Sequence, residues 1–173
     1  MANRKLGRPT DQRVAILKNL TTDLIWHEKV ETTLARAKET QSIVDSLIAL
    51  AIKEKDNYEE VNQKVVVAKR DSKGNKETEV AKSKNGKEFL KVVKEEKTEK
   101  RQKDNPSRLQ ARRKMFTKIN KVKDENGNNV DLTDKLFNVL APRYASRVGG
   151  YTQIIRKANR RGDSAETVIL KLV

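Results

Sequence analysis

One histidine, no cysteine and carboxylates scattered through mixed-charge runs leave this chain little with which to do covalent chemistry. His27 stands beside Glu28, but with no second histidine there is no Ser-His-Asp or Cys-His arrangement with a spare base. At the end of an expected first helix, a cation-capable ring suits the C-terminal dipole or a phosphate contact. No cluster of Asp and Glu resembles a metal site, and the missing cysteines remove disulfides and Cys-based zinc sites. Gly149-Gly150 lacks the trailing Gly-Lys-Ser/Thr of a phosphate loop. Arg161-Gly162-Asp163 spells an adhesion tripeptide, yet it reads better as a tight turn with Gly162 at positive φ. No catalytic residue, metal, cofactor or small-molecule substrate is expected, so the chain does not read as an enzyme.

What the chain does hold is guanidinium. Arg143, Arg147, Arg156, Arg160 and Arg161, with Lys157, surround Gly149-Gly150-Tyr151-Thr152 and two strand-like runs. Arginine binds phosphate through a planar fork and stacks on bases. Tyr144 and Tyr151 interleave with these cations, placed either to stack on an unpaired base or to pack half-buried. The net charge is +15, and residues 108–173 hold 15 basic and 6 acidic side chains. That excess in one third of the chain favours a defined polyanion-binding face, whose affinity falls with salt as counterions are released. No run approaches the roughly 20 apolar residues of a membrane span. No signal-peptide core opens the chain, so a cytoplasmic location is expected.

These cations need elements to position them. Met1 to Pro9, with Arg4, Lys5, Gly7 and Arg8, reads as an extended basic arm. Thr10 is placed to cap a helix over about Asp11 to Trp26, with Ile16, Leu17, Leu20 and Leu24 as its apolar stripe and Arg13 and Lys18 toward solvent. Lys29 to Thr32 alternates like a short strand. Thr32 or Thr33 then caps a helix of about Leu34 to Lys55, with Ala37, Val44, Leu47, Ile48 and Ala51 inward. Arg36 and Lys38 fall in its first turn, where the dipole disfavours cations, which suggests an anion nearby.

From Tyr58 to Asn105 the composition shifts to 14 basic and 10 acidic residues around Lys73-Gly74-Asn75 and Lys84-Asn85-Gly86-Lys87. Asn-Gly between β-capable runs signals a hairpin. Strands are expected at Val65 to Val67, Thr78 to Ala81 and Phe89 to Val93, and Glu95 to Lys103 as a solvated helix or coil. The segment reads as a solvent-facing β-hairpin insertion. Ser107 and Gln110 have capping-box spacing before a third helix with Leu109, Phe116 and Ile119 on one side and Arg112, Arg113 and Lys114 beside them. A fourth helix starts at Asp131 or Thr133 and ends at Pro142, and a closing hairpin pairs Tyr151 to Ala158 with Ala165 to Val173. These elements, about four helices with a short strand and a closing hairpin in residues 1–57 and 106–173, make the expected class α+β.

Several motifs in register resemble one family. Arg4-Lys5-Leu6-Gly7-Arg8, Lys29-Val30-Glu31-Thr32-Thr33 and Ala35-Arg36-Ala37-Lys38-Glu39 are similar to the N-terminal half of the bacterial large-subunit ribosomal protein seventeen family. Leu136-Phe137, Pro142-Arg143-Tyr144, Ser146-Arg147, Gly149-Gly150-Tyr151-Thr152 and Arg160-Arg161-Gly162-Asp163 resemble its C-terminal half. The resemblance implies a structural constituent of the bacterial 50S subunit that binds folded 23S ribosomal RNA near the polypeptide exit tunnel and touches neighbouring large-subunit proteins. It also implies a two-layer domain in which about four helices pack on a small mixed sheet, supplied by the Lys29 to Thr32 strand and the C-terminal hairpin. It implies RNA contacts at Arg4, Lys5, Arg8, Lys38, Arg143, Arg147, Arg160 and Arg161. Charge and placement add Arg13, Arg112, Arg113, Tyr151 and Arg156. Residues 58–105 depart from the family as a longer connection to which nothing carries over. A nucleoid-type DNA-binding protein is the alternative, although no groove-reading motif is visible.

Overall fold

The computed structural model describes residues 4–173, so Met1, Ala2 and Asn3 of the expected arm lie outside the described residues. The chain forms two units, one comprising Met1–Asn57 with Asp104–Val173 and the other Tyr58–Lys103. In the larger unit, α1 is Thr10–His27, β1 Lys29–Thr33, α2 Leu34–Glu54 and α3 Pro106–Lys118. A two-residue hairpin, β6 Val122–Lys123 with β7 Asn129–Val130, leads to α4. Helix α4 runs through Leu132–Lys135, a π-helical turn Leu136–Leu140 and Ala141–Arg143. The wide turn brings the Ala141 N–H onto the Leu136 carbonyl and eases the strain of Pro142, whose ring cannot follow a regular α-turn. Strands β8, Thr152–Arg156, and β9, Thr167–Leu172, close the chain.

The last strand is the central one. The sheet order is β1-β9-β8, and both pairings are antiparallel, so the sheet expected as mixed has a single sense. Val168, Leu170 and Leu172 alternate inward along β9 and are buried, while Ile169 and Lys171 face the other way half-buried. Leu24 and Ile25 of α1, Val44, Leu47 and Ile48 of α2, Ala111 and Met115 of α3, and Leu136, Phe137 and Leu140 of α4 join them in one core. The helical layer follows from 3.6-residue spacing of these apolar positions.

Helix α3 turns on a different residue set from its expected one. Arg108, Ala111 and Met115 face inward, whereas Leu109 and Phe116 are 37% and 50% exposed. The face is set by Arg108, which is only 1% exposed. Its guanidinium donates to the Lys55 carbonyl at 2.7 Å, pairs with Asp104 at 3.1 Å and lies 4.6 Å from the Phe137 ring centre. A pattern built on apolar residues alone misses an inward arginine.

Caps are made by tertiary partners rather than by local hydroxyls. Thr10 is the first residue of α1 and does not cap it. At α2 the N-cap is Thr33, but its side chain makes no capping bond; the Leu34 N–H donates instead to the Glu166 carbonyl at 3.0 Å. The Ser107–Gln110 capping box does not form, because the Ser107 hydroxyl donates to Glu54 at 2.7 Å. Asn57 also donates to Glu54, at 2.8 Å, and receives the side-chain amide of Asn105 at 2.9 Å. These bonds hold the Glu54 carboxyl below its ordinary range, the one from Asn57 most of all. In the final turn Gly162 does not adopt positive φ; Ser164 does, at +52°.

Between α1 and β1, Glu28 adopts a left-handed φ of +61°. Its carbonyl accepts from Leu172 at 2.9 Å. Its carboxylate receives Arg143 at 2.8 and 3.3 Å and lies 3.3 Å from the Lys135 ammonium. Glu28 thus ties the helix end, the sheet and α4 together.

The smaller unit pairs β2, Tyr58–Ala68, with β5, Lys94–Asp104, and β3, Thr78–Lys82, with β4, Glu88–Val92. The Asn85-Gly86 turn closes β3 on β4, with Gly86 at φ +76°. Residues 95–103, expected as helix or coil, are strand, because cross-strand pairing supplies hydrogen bonds that the charged sequence cannot organise alone. Lys64–Glu96, Lys69–Glu77 and Lys82–Glu88 are among its ion pairs.

The turned face of α3 gives a direct test. Met115→Ala is expected to destabilise the protein by about 2–5 kcal/mol and the neighbouring Phe116→Ala by under about 1 kcal/mol, read from urea melts; equal losses would place the helix in its sequence-expected phase. The Glu28 carboxyl is held below its ordinary value of 4.5, chiefly by Arg143. Its folded-state pKa is therefore depressed, so its stabilisation is complete above about pH 4.5 and fades as pH falls through the lower folded value. Thermal melts of the wild type and Glu28→Gln are expected to differ near pH 7, by no more than about 1 kcal/mol, and to converge toward pH 3.

Candidate nucleic-acid interface

The described part of the N-terminal arm is a tight turn, not an extended strand. Leu6 and Gly7 both take left-handed φ, +55° and +62°, and the Arg8 N–H donates to the Lys5 carbonyl at 3.1 Å. That is the geometry of a type I′ turn. Arg4 then pairs with Glu39 of α2 at 3.2 Å, which fixes the arm against the second helix, while Lys5 and Arg8 stay exposed.

Beside this arm lies an open cleft of about 800 Å³. Arg13 and Lys18 of α1, Lys38 of α2 and Lys118 at the end of α3 stand around it with Arg4. Among the described residues, none of Arg13, Lys18, Lys38 and Lys118 has an ion-pair partner. Glu39 is the cleft's sole acid in that set, and Arg4 occupies it. Val14 and Leu17 of α1 and Ile43 of α2 supply an apolar floor. Leu17 and its neighbours Ile16 and Leu20, expected as a core stripe, are only half-buried, while Leu24 and Ile25 further along α1 enter the core. Lys38 lies one turn into α2, just past a first turn that carries no acid. These four ammonium and guanidinium groups therefore raise one positive potential with little to cancel it.

The other predicted cations divide into two sets. Arg112 is committed to the fold: it contacts Asp104 at 2.7 Å, Asp134 at 2.6 Å and Asp131 at 3.4 Å, and lies 5.3 Å from the Phe137 ring centre. Its side chain is 18% exposed, and these three carboxylates leave little of the guanidinium for the RNA contact expected of it. Arg143 is held by Glu28, and Arg160 by Asp163 at 3.4 Å, though both remain on the surface. Arg147 donates to the Gly149 carbonyl at 3.3 Å. Arg113, Arg156 and Arg161 are exposed and without an ion-pair partner among the described residues.

Tyr151 does not offer its ring for stacking. It is 5% exposed, its hydroxyl donates to the Arg147 carbonyl at 3.3 Å, and its ring packs 5.4 Å from that of Tyr144. Tyr144 in turn donates to the Val173 carbonyl at 2.7 Å. The two tyrosines are a buried pair that anchors the chain's end. Lys18 and Lys118 are the residues that sequence reasoning left out. The spacing of Lys18 from Arg13 put both on one helix, but only the packing of α1, α2 and α3 shows that Lys38 and Lys118 share their cleft.

Among the described residues no group of His, Asp and Glu could hold a metal ion, and no helix is long and apolar enough to cross a membrane. A family model described as ribosomal protein L17 matches residues 16–173. The chain is 54% identical over 172 residues to a large ribosomal subunit protein bL17 from Acetivibrio thermocellus, covering 99% of each. It is 52% identical over 170 residues to the protein of that name from Ruminiclostridium cellulolyticum and 44% over 179 residues to the one from Lachnospira eligens, covering 98% of each chain in both cases. These matches run nearly end to end, so relatives of the same length carry a segment comparable to residues 58–105, and the expected departure from the family does not separate this chain from them. With the family model covering all but its first fifteen residues, the chain belongs to the ribosomal protein L17 family.

Proposed function

We propose that this chain is a non-enzymatic structural constituent of the bacterial large ribosomal subunit, binding and stabilising folded 23S ribosomal RNA near the polypeptide exit tunnel beside neighbouring large-subunit proteins. The observation that carries the reading is the set of unpaired cations around the α1–α2 cleft. Elsewhere the fold's carboxylates neutralise Arg112, Arg143 and Arg160, and at the cleft itself Glu39 takes up Arg4. Around the cleft they leave Arg13, Lys18, Lys38 and Lys118 unmatched on a chain of net charge +15. Backbone phosphates are the natural counter-charge for such a set. The family name supports the subunit, and the motif resemblance supports the RNA and the site near the tunnel.

Lys5, Arg8, Arg113, Arg147, Arg156 and Arg161 extend the RNA contacts over the same unit, with Arg4, Arg143 and Arg160 contributing where their ion pairs leave donors free. Among the described residues no group could hold the metal of a zinc finger, and nothing in the geometry favours the DNA-binding alternative.

In sucrose gradients of cell lysate at low magnesium, the chain is expected to co-migrate stoichiometrically with the large subunit; recovery at the top of the gradient or with DNA would reject this reading. In a salt titration with 23S RNA, changing Arg13, Lys18, Lys38 and Lys118 together to Ala is expected to flatten the log–log slope by about 3–4. An unchanged slope would remove the cleft from the interface.

A further inference from the structure

The cleft is built for more than phosphates. A site serving only a phosphate backbone needs cations and polar donors, yet the floor here is aliphatic: Val14, Leu17 and Ile43, with Val14 46% exposed. Leaving such a floor open to water is unfavourable unless something flat and largely apolar covers it. Thr21 adds a second and independent signal. It lines the same cleft, is fully buried, and its hydroxyl has no hydrogen-bond partner. Neighbouring helical threonines do not behave this way. Thr22 donates back to the Lys18 carbonyl at 2.7 Å and Thr40 to that of Arg36 at 3.0 Å. An unsatisfied buried hydroxyl is costly, and a ligand bearing a polar edge would satisfy it.

We infer that the cleft between α1 and α2 receives one unstacked nucleotide of the bound RNA. Its base lies on Val14, Leu17 and Ile43, with a polar edge toward the Thr21 hydroxyl, and its flanking phosphates lie along the cationic rim. The nucleotide then meets matching chemistry: one base face meets the floor, the base edge meets a hydroxyl, and the phosphates meet cations. The cleft's volume of about 800 Å³ falls within the range of about 300–1,000 Å³ common to small-ligand sites. Recognition of an extruded base is also how proteins read folded RNA, whose helical grooves hide their base edges. The inference rests on the RNA-binding reading above and adds to it a specific unpaired nucleotide.

The test uses the full chain and two hexamer oligoribonucleotide probes, hexaadenylate and the same backbone with every base removed, measured by fluorescence anisotropy across a salt series. Both carry the same phosphates. The intact probe is expected to bind about 3- to 30-fold more tightly, as covering one base face with aliphatic side chains provides, with the same salt slope as the abasic one. Thr21→Val, which removes a hydroxyl that bonds to nothing within the fold, and Val14→Ser, at an exposed position, are each expected to shrink that preference several-fold without altering the salt slope. Equal affinity for both probes would overturn the inference while leaving an RNA-binding surface in place. A preference that survives both substitutions would also overturn it, by placing the base elsewhere. Absence of salt-dependent binding to either probe would instead reject the RNA-binding reading on which it rests.

Discussion

A guanidinium buried in the helical layer is the constraint around which the larger unit is arranged. Arg108 is taken out of water, and an uncompensated charge there costs several kcal/mol or more. The fold offsets this with the Lys55 carbonyl, the Asp104 carboxylate and the Phe137 ring. Each partner comes from a different part of the chain, so satisfying one side chain fixes the end of α2, the start of α3 and the middle of α4 together. Asp104 also receives Arg112, and Arg112 reaches on to Asp131 and Asp134 at the start of α4. Around these, Glu54, Asn57, Asn105 and Ser107 close the two chain crossings with hydrogen bonds of their own. Residues 58–103 can therefore leave and return without opening the core, because the bonds at 54–57 and 104–108 complete the frame on the larger unit's side.

Charge is divided by the same packing. The chain has 39 basic and 24 acidic residues, so its acids can neutralise only some of its cations. Where they are used follows from structure: at the α3–α4 junction, at Glu28 and in the final turn. The α1–α2 cleft is left with a surplus. A surplus that is local, partly recessed and set over an apolar floor differs physically from charge spread for solubility. It concentrates positive potential in one place and leaves hydrophobic surface beneath it.

The smaller unit follows another logic. Its lysines and glutamates pair across and along strands, while Val80 and Leu90 face each other in register and are 66% and 69% exposed. Phe89, opposite Ala81, is 50% exposed. Strand pairing, more than core burial, organises this unit. Lys64, Lys69, Lys82, Lys97 and Arg101 are paired within it, against 14 basic and 9 acidic residues over positions 58–103.

The sequence by itself determined the class of the protein, most of its elements and its chemistry. The missing cysteine excludes disulfides and Cys-based zinc sites, and the cation excess points to a polyanion. The spacing in α2 and the alternation in β9 specify their buried faces, because periodicities of 3.6 and 2 are local properties of the backbone. The Asn85-Gly86 turn was legible for the same reason. Tertiary structure decided everything that depends on residues distant in the chain. Which face of α3 turns inward was set by acceptors for Arg108 at positions 55 and 104. Whether Arg112 binds RNA or stabilises the fold depended on where Asp131 and Asp134 come to rest, and whether Tyr151 stacks or packs depended on Tyr144. The cleft itself requires α1, α2 and the end of α3 side by side, and no local pattern encodes a neighbour 20 or 100 residues away, since such proximity is created only by packing.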